Sequence, residues 1–334
     1  MIMTEKLLDI KNLTVTFKTD DGRVLAVDDL SFSVDYGETV GLVGESGAGK
    51  SVTAMSIPRL VPSPPSQVEH GEIRFKGRDL LKMNIRDMRK IRGKEIGVIF
   101  QDPGTALSPL HRVGNQLVEA LRMHRNLSFK EAWATAESWL ANVKIPDAKE
   151  RMFVYPHQLS GGMQQRVMIA MALIQEPDLM IADEPTTALD VTIQAQVFNL
   201  IRDMKKNDSA MLLITHDMGV VWEMCDRVLV MYASQLVEEG LKDEIFSHPA
   251  HPYTEGLLKS IPSLGAGTGK RLPSIRGQVP SALDYPKGCR FNDRCPHAFD
   301  RCEKESPESV HLSKTHRASC FLLVPEQKEG THGL

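Results

Sequence analysis

The sequence has no apolar run approaching the ~18 residues that a bilayer-spanning helix needs. Its longest candidates, Val167 to Ile174 and Ala210 to Ile214, have the length of interior elements. Cysteine is scarce, five residues in 334, and four of them fall after residue 288. That argues against a disulfide framework. Neither charge is in excess: 40 Lys and Arg stand against 43 Asp and Glu, a net charge of −3, and nothing suggests a nucleic-acid-binding surface. Met1 to Lys6 lack the basic start, apolar core and small-residue cleavage site of a secretory signal. The expectation is a cytoplasmic protein whose membrane association comes through partner chains. There is no internal repeat, and no low-complexity tract beyond the Gly265–Gly269 linker. What remains is ordinary globular composition, 42% hydrophobic and 25% charged, with room for a large domain and an appendage.

One stretch organises the chain: Gly44-Glu45-Ser46-Gly47-Ala48-Gly49-Lys50-Ser51 fills every position of a phosphate-binding loop. The strand-like Thr39–Val43 leads in, and Ser51–Met55 leaves as a helix start. Gly44, Gly47 and Gly49 let the backbone curl, so that successive N–H groups, Ser46 among them, converge on phosphate oxygens. Lys50 is expected to reach the β- and γ-phosphates of a nucleotide, and the Ser51 hydroxyl a magnesium ion.

Upstream, Leu8, Ile10, Leu13, Val15 and Phe17 alternate with mostly polar residues, as strands covering one face of a sheet do. Ile96–Phe100, Leu179–Ala182 and Met211–Ile214 are short apolar runs that read as buried strands, and each ends in polar residues: Gln101, Asp183 with Glu184, and Thr215 with His216. Parallel sheets bind ligands at such edges. Asp183 is suited to hold magnesium with Ser51 and Gln101, while Glu184 polarises an attacking water and His216 holds that water against the γ-phosphate. Singly, each has a plainer reading, a solvated turn or a satisfied histidine. Residues 114 to 145 carry apolar side chains at spacings of three and four and read as helices. Ser160 caps the helix that follows Gly161 and Gly162. From about residue 246, prolines multiply and an irregular extension is expected, with little core of its own.

In this order the motifs resemble the nucleotide-binding subunit of an ABC transporter over residues 5 to about 245. The resemblance rests on the phosphate loop, Gln101, Leu159-Ser160-Gly161-Gly162-Met163-Gln164 as the family signature, Asp183-Glu184, Ala188-Leu189-Asp190, and His216 as the switch histidine. It implies an α/β P-loop NTPase of ABC type: a RecA-like core with an antiparallel β layer and a helical subdomain near 105–165. It also implies two such chains stacked head to tail, with Ser160, Gly161 and Gly162 of each closing over ATP held by the other. Phe17 falls where such chains often stack an aromatic on adenine; it reads equally as a core residue of the sheet face. A soluble ABC ATPase of translation or DNA repair is disfavoured, since those carry two phosphate loops or a long coiled coil. A purely regulatory binding module is disfavoured by the intact Glu184 and His216.

Gly44–Gly47, Phe100-Gln101-Asp102-Pro103, Thr186–Thr192 and His251-Pro252-Tyr253-Thr254 further resemble the ATPase subunits of bacterial dipeptide and oligopeptide importers. This narrower resemblance implies a homologous but different ATPase partner, two transmembrane permease subunits and an external substrate-binding protein, at the cytoplasmic face of the inner membrane. Related systems carry nickel, glutathione, antimicrobial peptides or sugars instead. Gly104 and Ala106 depart from the bulkier or hydroxyl residues common after Gln101. Ser234 replaces a usual glycine in the closing hairpin, where only a turn is expected to be affected. Cys289, Cys295, Cys302 and Cys320, unevenly spaced in a proline-rich segment, suggest a metal staple. The D-type importer subunits resemble this pattern and imply a [4Fe-4S] cluster on residues 246–334; zinc and unliganded thiols are the alternatives, and His297, His311 and His316 keep a mixed-ligand site open. Cys225 reads as core.

Overall fold

Short, uninterrupted apolar runs can bury both faces, and here they make the middle of a sheet. The computed structural model of the protein describes residues 6–186, 191–206, 208–261 and 274–324. Its strands are β1 (Lys6–Thr19), β2 (Gly22–Asp35), β3 (Thr39–Val43), β4 (Ser66–Phe75), β5 (Arg78–Asp79), β6 (Ile96–Ile99), β7 (Leu179–Asp183), β8 (Ala210–Ile214), β9 (Arg227–Tyr232), β10 (Gln235–Leu241), β11 (Val310–His311) and β12 (Arg317–Ala318). The larger sheet runs β11-β12-β10-β9-β3-β8-β7-β6. From β9 to β6 it is parallel, and every residue of β3, β7 and β8 is buried. Successive side chains feed opposite cores: Leu179 and Ile181 face the antiparallel layer, Met180 and Ala182 the helices. Cys225 lies in the helix-side core as expected, its thiol pushed up to about 12 by burial.

The antiparallel sheet is ordered β2-β1-β4-β5. In β1, Leu8 and Ile10 share a face with Leu13 and Val15 although the spacing from 10 to 13 is odd. Register shifts between Ile10 and Leu13 and between Leu13 and Val15, with Asn12 at φ 49°, re-aim the strand. The helical subdomain forms as its spacing suggests. Leu117 and Leu121 of helix Val113–Arg122 and Ala132, Ala136 and Leu140 of helix Phe129–Asn142 are buried, and Ser128 with Glu131 closes a capping box on the second helix.

The extension joins the core sheet at its edge. Ala318 pairs with Glu238 and Arg317 with Glu239, while the buried His316 Nε2 lies 2.8 Å from Glu238. Arg290 forms an ion pair with Asp28 of β2. The Gly265–Gly269 linker lies outside the described residues.

Ser234 corrects an expectation. It is fully buried, at φ 71°, and its hydroxyl bonds the Leu25 carbonyl and the Tyr285 hydroxyl, each at 2.8 Å. The position therefore ties β2 to the extension, and the left-handed backbone explains why glycine suits it. Ser234→Ala should lower the unfolding free energy by about 1 kcal/mol, because two half-buried partners lose a bond. A denaturant titration reads this directly, and an unchanged midpoint would remove the tie.

Candidate functional site

The loop between β3 and helix Lys50–Ser56 needs glycine for two distinct reasons. Gly44 and Gly49 hold φ 149° and 95°, and a Cβ there would sit 2.1 Å from the Met231 carbonyl and 2.2 Å from that of Ala26. Gly47, at φ 81°, has open space and is required by conformation alone. Ser46 and Gly47 form the exposed crest. Lys50 is buried, and its ammonium donates to the carbonyls of Gly44 at 2.8 Å and Glu45 at 2.9 Å. Burial lowers its pKa, while Glu184, Asp183 and Glu45 pull the other way. The ammonium is thus held by two loop carbonyls within electrostatic reach of three carboxylates.

Parallel strands β3, β8, β7 and β6 end along one edge and bring most of the polar residues together. The Ser51 hydroxyl donates to Asp183 Oδ1 at 2.9 Å. Burial raises the Asp183 pKa, Ser51 opposes that, and Glu184 adds to it. Two hard oxygens in this arrangement fit magnesium, which keeps several waters and shares phosphate oxygens. Glu184 is gripped from two strand ends: Gln101 Nε2 donates to Oε2 at 3.2 Å, and His216 Nδ1 lies 3.5 Å from Oε1. Its backbone sits at φ 44°, held by an N–H donated to the Ile214 carbonyl at 2.9 Å. A non-glycine residue in that region costs about 1–3 kcal/mol, and such strain gathers at functional sites.

Ser160, Gly161, Gly162 and Phe17 stand apart from this cluster. Ser160 caps helix Gly161–Leu173 through the Met163 N–H. It is exposed with Gly161, and a Cβ on Gly161 or Gly162 would meet nothing within 4 Å, so the helix N-terminus faces open space. Gln165 of this helix donates to the Pro185 carbonyl beside Glu184. Phe17 is half-buried on β1 opposite Val24, on the strand that carries Ala26 against Gly49. Asp190 lies outside the described residues.

The four cysteines, scattered in sequence, line one pocket with His251 and His297. Burial pushes the Cys289 thiol up to about 11, and Cys302, Cys320 and Cys295 each raise it further. Yet among the described residues no group of three or more His, Cys, Asp or Glu side chains is set to hold a metal ion.

Sequence patterns give no sign of what surrounds the loop from the extension. A cavity of about 240 Å³ is lined by Gly44, Glu45 and His216 on one side and by Leu257 and Ile261 on the other. Tyr253 and Arg294 both reach Glu45. The strings around Tyr253 and Cys295 are visible in the sequence; their partner is not.

An ABC transporter profile matches residues 27–187, and a profile for the oligopeptide/dipeptide transporter C-terminal region matches residues 237–302. The chain is 47% identical over 327 residues to the oligopeptide transport ATP-binding protein OppD of Bacillus subtilis, covering 98% of this chain and 91% of that one. It is 50% identical over 319 residues to the dipeptide transport ATP-binding protein DppD of the same organism, covering 95% of each. Against OppD of Escherichia coli the identity is 47%, covering 96% and 95%. A dimeric ATP-binding cassette solved in a post-hydrolysis state with ADP and Pi is 26% identical, with a TM-score of 0.63 over 70% of this chain and 98% of that one.

Proposed function

Because the chain belongs to the ATP-binding subunits of ABC transporters, in the oligopeptide/dipeptide branch, we propose that it is one of two different ATPase chains driving peptide import from the cytoplasmic face of a bacterial inner membrane. It binds and hydrolyses ATP. The observation that carries the mechanism is Glu184, fixed between Gln101 and His216 one residue from the Ser51–Asp183 pair.

In this reading the β- and γ-phosphates lie over the loop, where Lys50 balances their charge. Ser51, Asp183 and Gln101 would hold magnesium, which when bound would supply positive charge against that developing during phosphoryl transfer. Glu184 orients the attacking water and accepts its proton; His216 keeps the carboxylate and water in line. The half-exposed Phe17 stacks on adenine. Ser160, Gly161 and Gly162, with an open helix N-terminus, complete the partner chain's site, since N–H groups and the helix dipole stabilise a γ-phosphate. Asp190 is assigned to that same interface by its motif alone.

No helix among the described residues is long and apolar enough to cross a membrane, so the proposed permease subunits must supply the path, with an external binding protein delivering cargo to them. Their docking surface is the aromatic groove of the helical subdomain: Leu110 is 81% exposed, and Phe129 and Phe153 flank Trp133 with ring centroids 5.5 and 5.1 Å away. An exposed apolar patch of this kind marks an interaction site.

For the extension we propose a [4Fe-4S] cluster on Cys289, Cys295, Cys302 and Cys320. All four thiols line one pocket, and four cysteine thiolates are what such a cluster requires. Anaerobic purification should yield about four iron and four acid-labile sulfide atoms per chain, lost in Cys320→Ser. One zinc without iron would overturn the cluster.

A further inference from the structure

Glu45, the second residue of the phosphate loop, is held from the extension by three bonds. Its N–H donates to the Tyr253 hydroxyl at 2.8 Å. Its carboxylate receives both ends of the Arg294 fork, at 2.5 Å to Oε2 and 3.0 Å to Oε1. Tyr253 is fully buried, and the Arg294 side chain is 5% exposed. Arg294 is itself fixed, donating to the Arg276 carbonyl at 2.8 Å and the Tyr232 hydroxyl at 3.2 Å and lying over the rings of Tyr232 and Phe291. On its other side, the Glu45 carbonyl accepts from Lys50 Nζ. A single residue therefore joins the extension to the phosphate-binding lysine.

The electrostatics give this contact a purpose. A carboxylate in the phosphate loop opposes a triphosphate, and Glu45 is close enough to act on the Lys50 ammonium. A bidentate guanidinium is the strongest available neutraliser and also fixes direction. We propose that Arg294 and Tyr253 are positioning residues for ATP binding: by neutralising and pinning Glu45, they let the C-terminal extension set the affinity of the phosphate loop. The inference rests on that loop being the ATP site.

The test is equilibrium binding of MgATP to the full-length chain. Arg294→Ala should weaken binding about tenfold, and Arg294→Lys, which keeps the charge without the fork, should lie between it and the wild type. Tyr253→Phe should cost about threefold, since it strands one loop N–H. The decisive variant is Arg294→Ala with Glu45→Gln. It should return to within about threefold of wild type, because the unneutralised charge is gone. A merely structural role would not give this rescue, and both Arg294→Ala chains should melt at similar temperatures. If the double variant binds no better than Arg294→Ala, or if Arg294→Ala binds like wild type, the proposal is overturned while the ATP site stands. Lys50→Ala separates the two ideas: were it to bind like wild type, the ATP site itself would fall, and the proposal with it.

Discussion

Glu184→Gln should leave ATP binding within about twofold of wild type and slow hydrolysis roughly 10²–10⁴-fold, the contribution of a positioned general base. The substitution keeps shape and removes charge. The glutamine can still meet Gln101 and His216, and the backbone bond from residue 184 to the Ile214 carbonyl is untouched, so the φ 44° conformation has no reason to relax. Asp183 and Glu45 still favour the Lys50 ammonium once that charge is gone. Glu184 acts on Asp183 as a like charge, so its removal also favours the ionised, magnesium-binding form of that carboxyl. Only the step that needs a proton acceptor suffers. Phosphate release and retained nucleotide, measured on the same preparation, check both halves; turnover within tenfold of wild type would remove Glu184 from the role.

Lys50→Ala should fail differently, losing about 100-fold or more in ATP affinity. The ammonium is buried and is the counter-charge to Asp183, Glu184 and Glu45. Its loss removes the cation that offsets phosphate charge at the loop, and charge-assisted bonds of that kind are among the strong ones. Two loop carbonyls, those of Gly44 and Glu45, also lose their donor. A triphosphate then meets carboxylates without their cation. Titration with a fluorescent nucleotide reads the loss, and an affinity within tenfold of wild type would contradict it.

These two residues are legible in the sequence because their chemistry is local. A loop of eight residues declares its own shape, and Asp183-Glu184 follows an apolar run whose only comfortable place is the middle of a parallel sheet. Gln101 and His216 are legible by the same rule, each ending such a run. The clamp on Glu45 is not. Tyr253 and Arg294 lie 208 and 249 residues away, and no periodicity relates a tyrosine in a short helix to a glutamate in a loop. Ser234 misleads for a related reason: a hairpin turn is normally at the surface, but here Tyr285 folds over it. Strands β11 and β12, two residues each, carry too little pattern to be seen without the β10 edge they pair with. The cysteines are intermediate. Their spacing does not specify a single-ion site, and only the fold shows that all four share one pocket.

The central claim is that ATP hydrolysis at this site drives peptide across a membrane. It is tested most directly by uptake of a labelled oligopeptide into vesicles holding the assembled transporter, with ATP on the side of this chain. The expected result is peptide uptake that requires ATP and vanishes when Glu184→Gln replaces the wild-type chain, although the variant still binds nucleotide. Uptake that persists undiminished in that variant, or ATP hydrolysis that proceeds with no peptide moved, would contradict it.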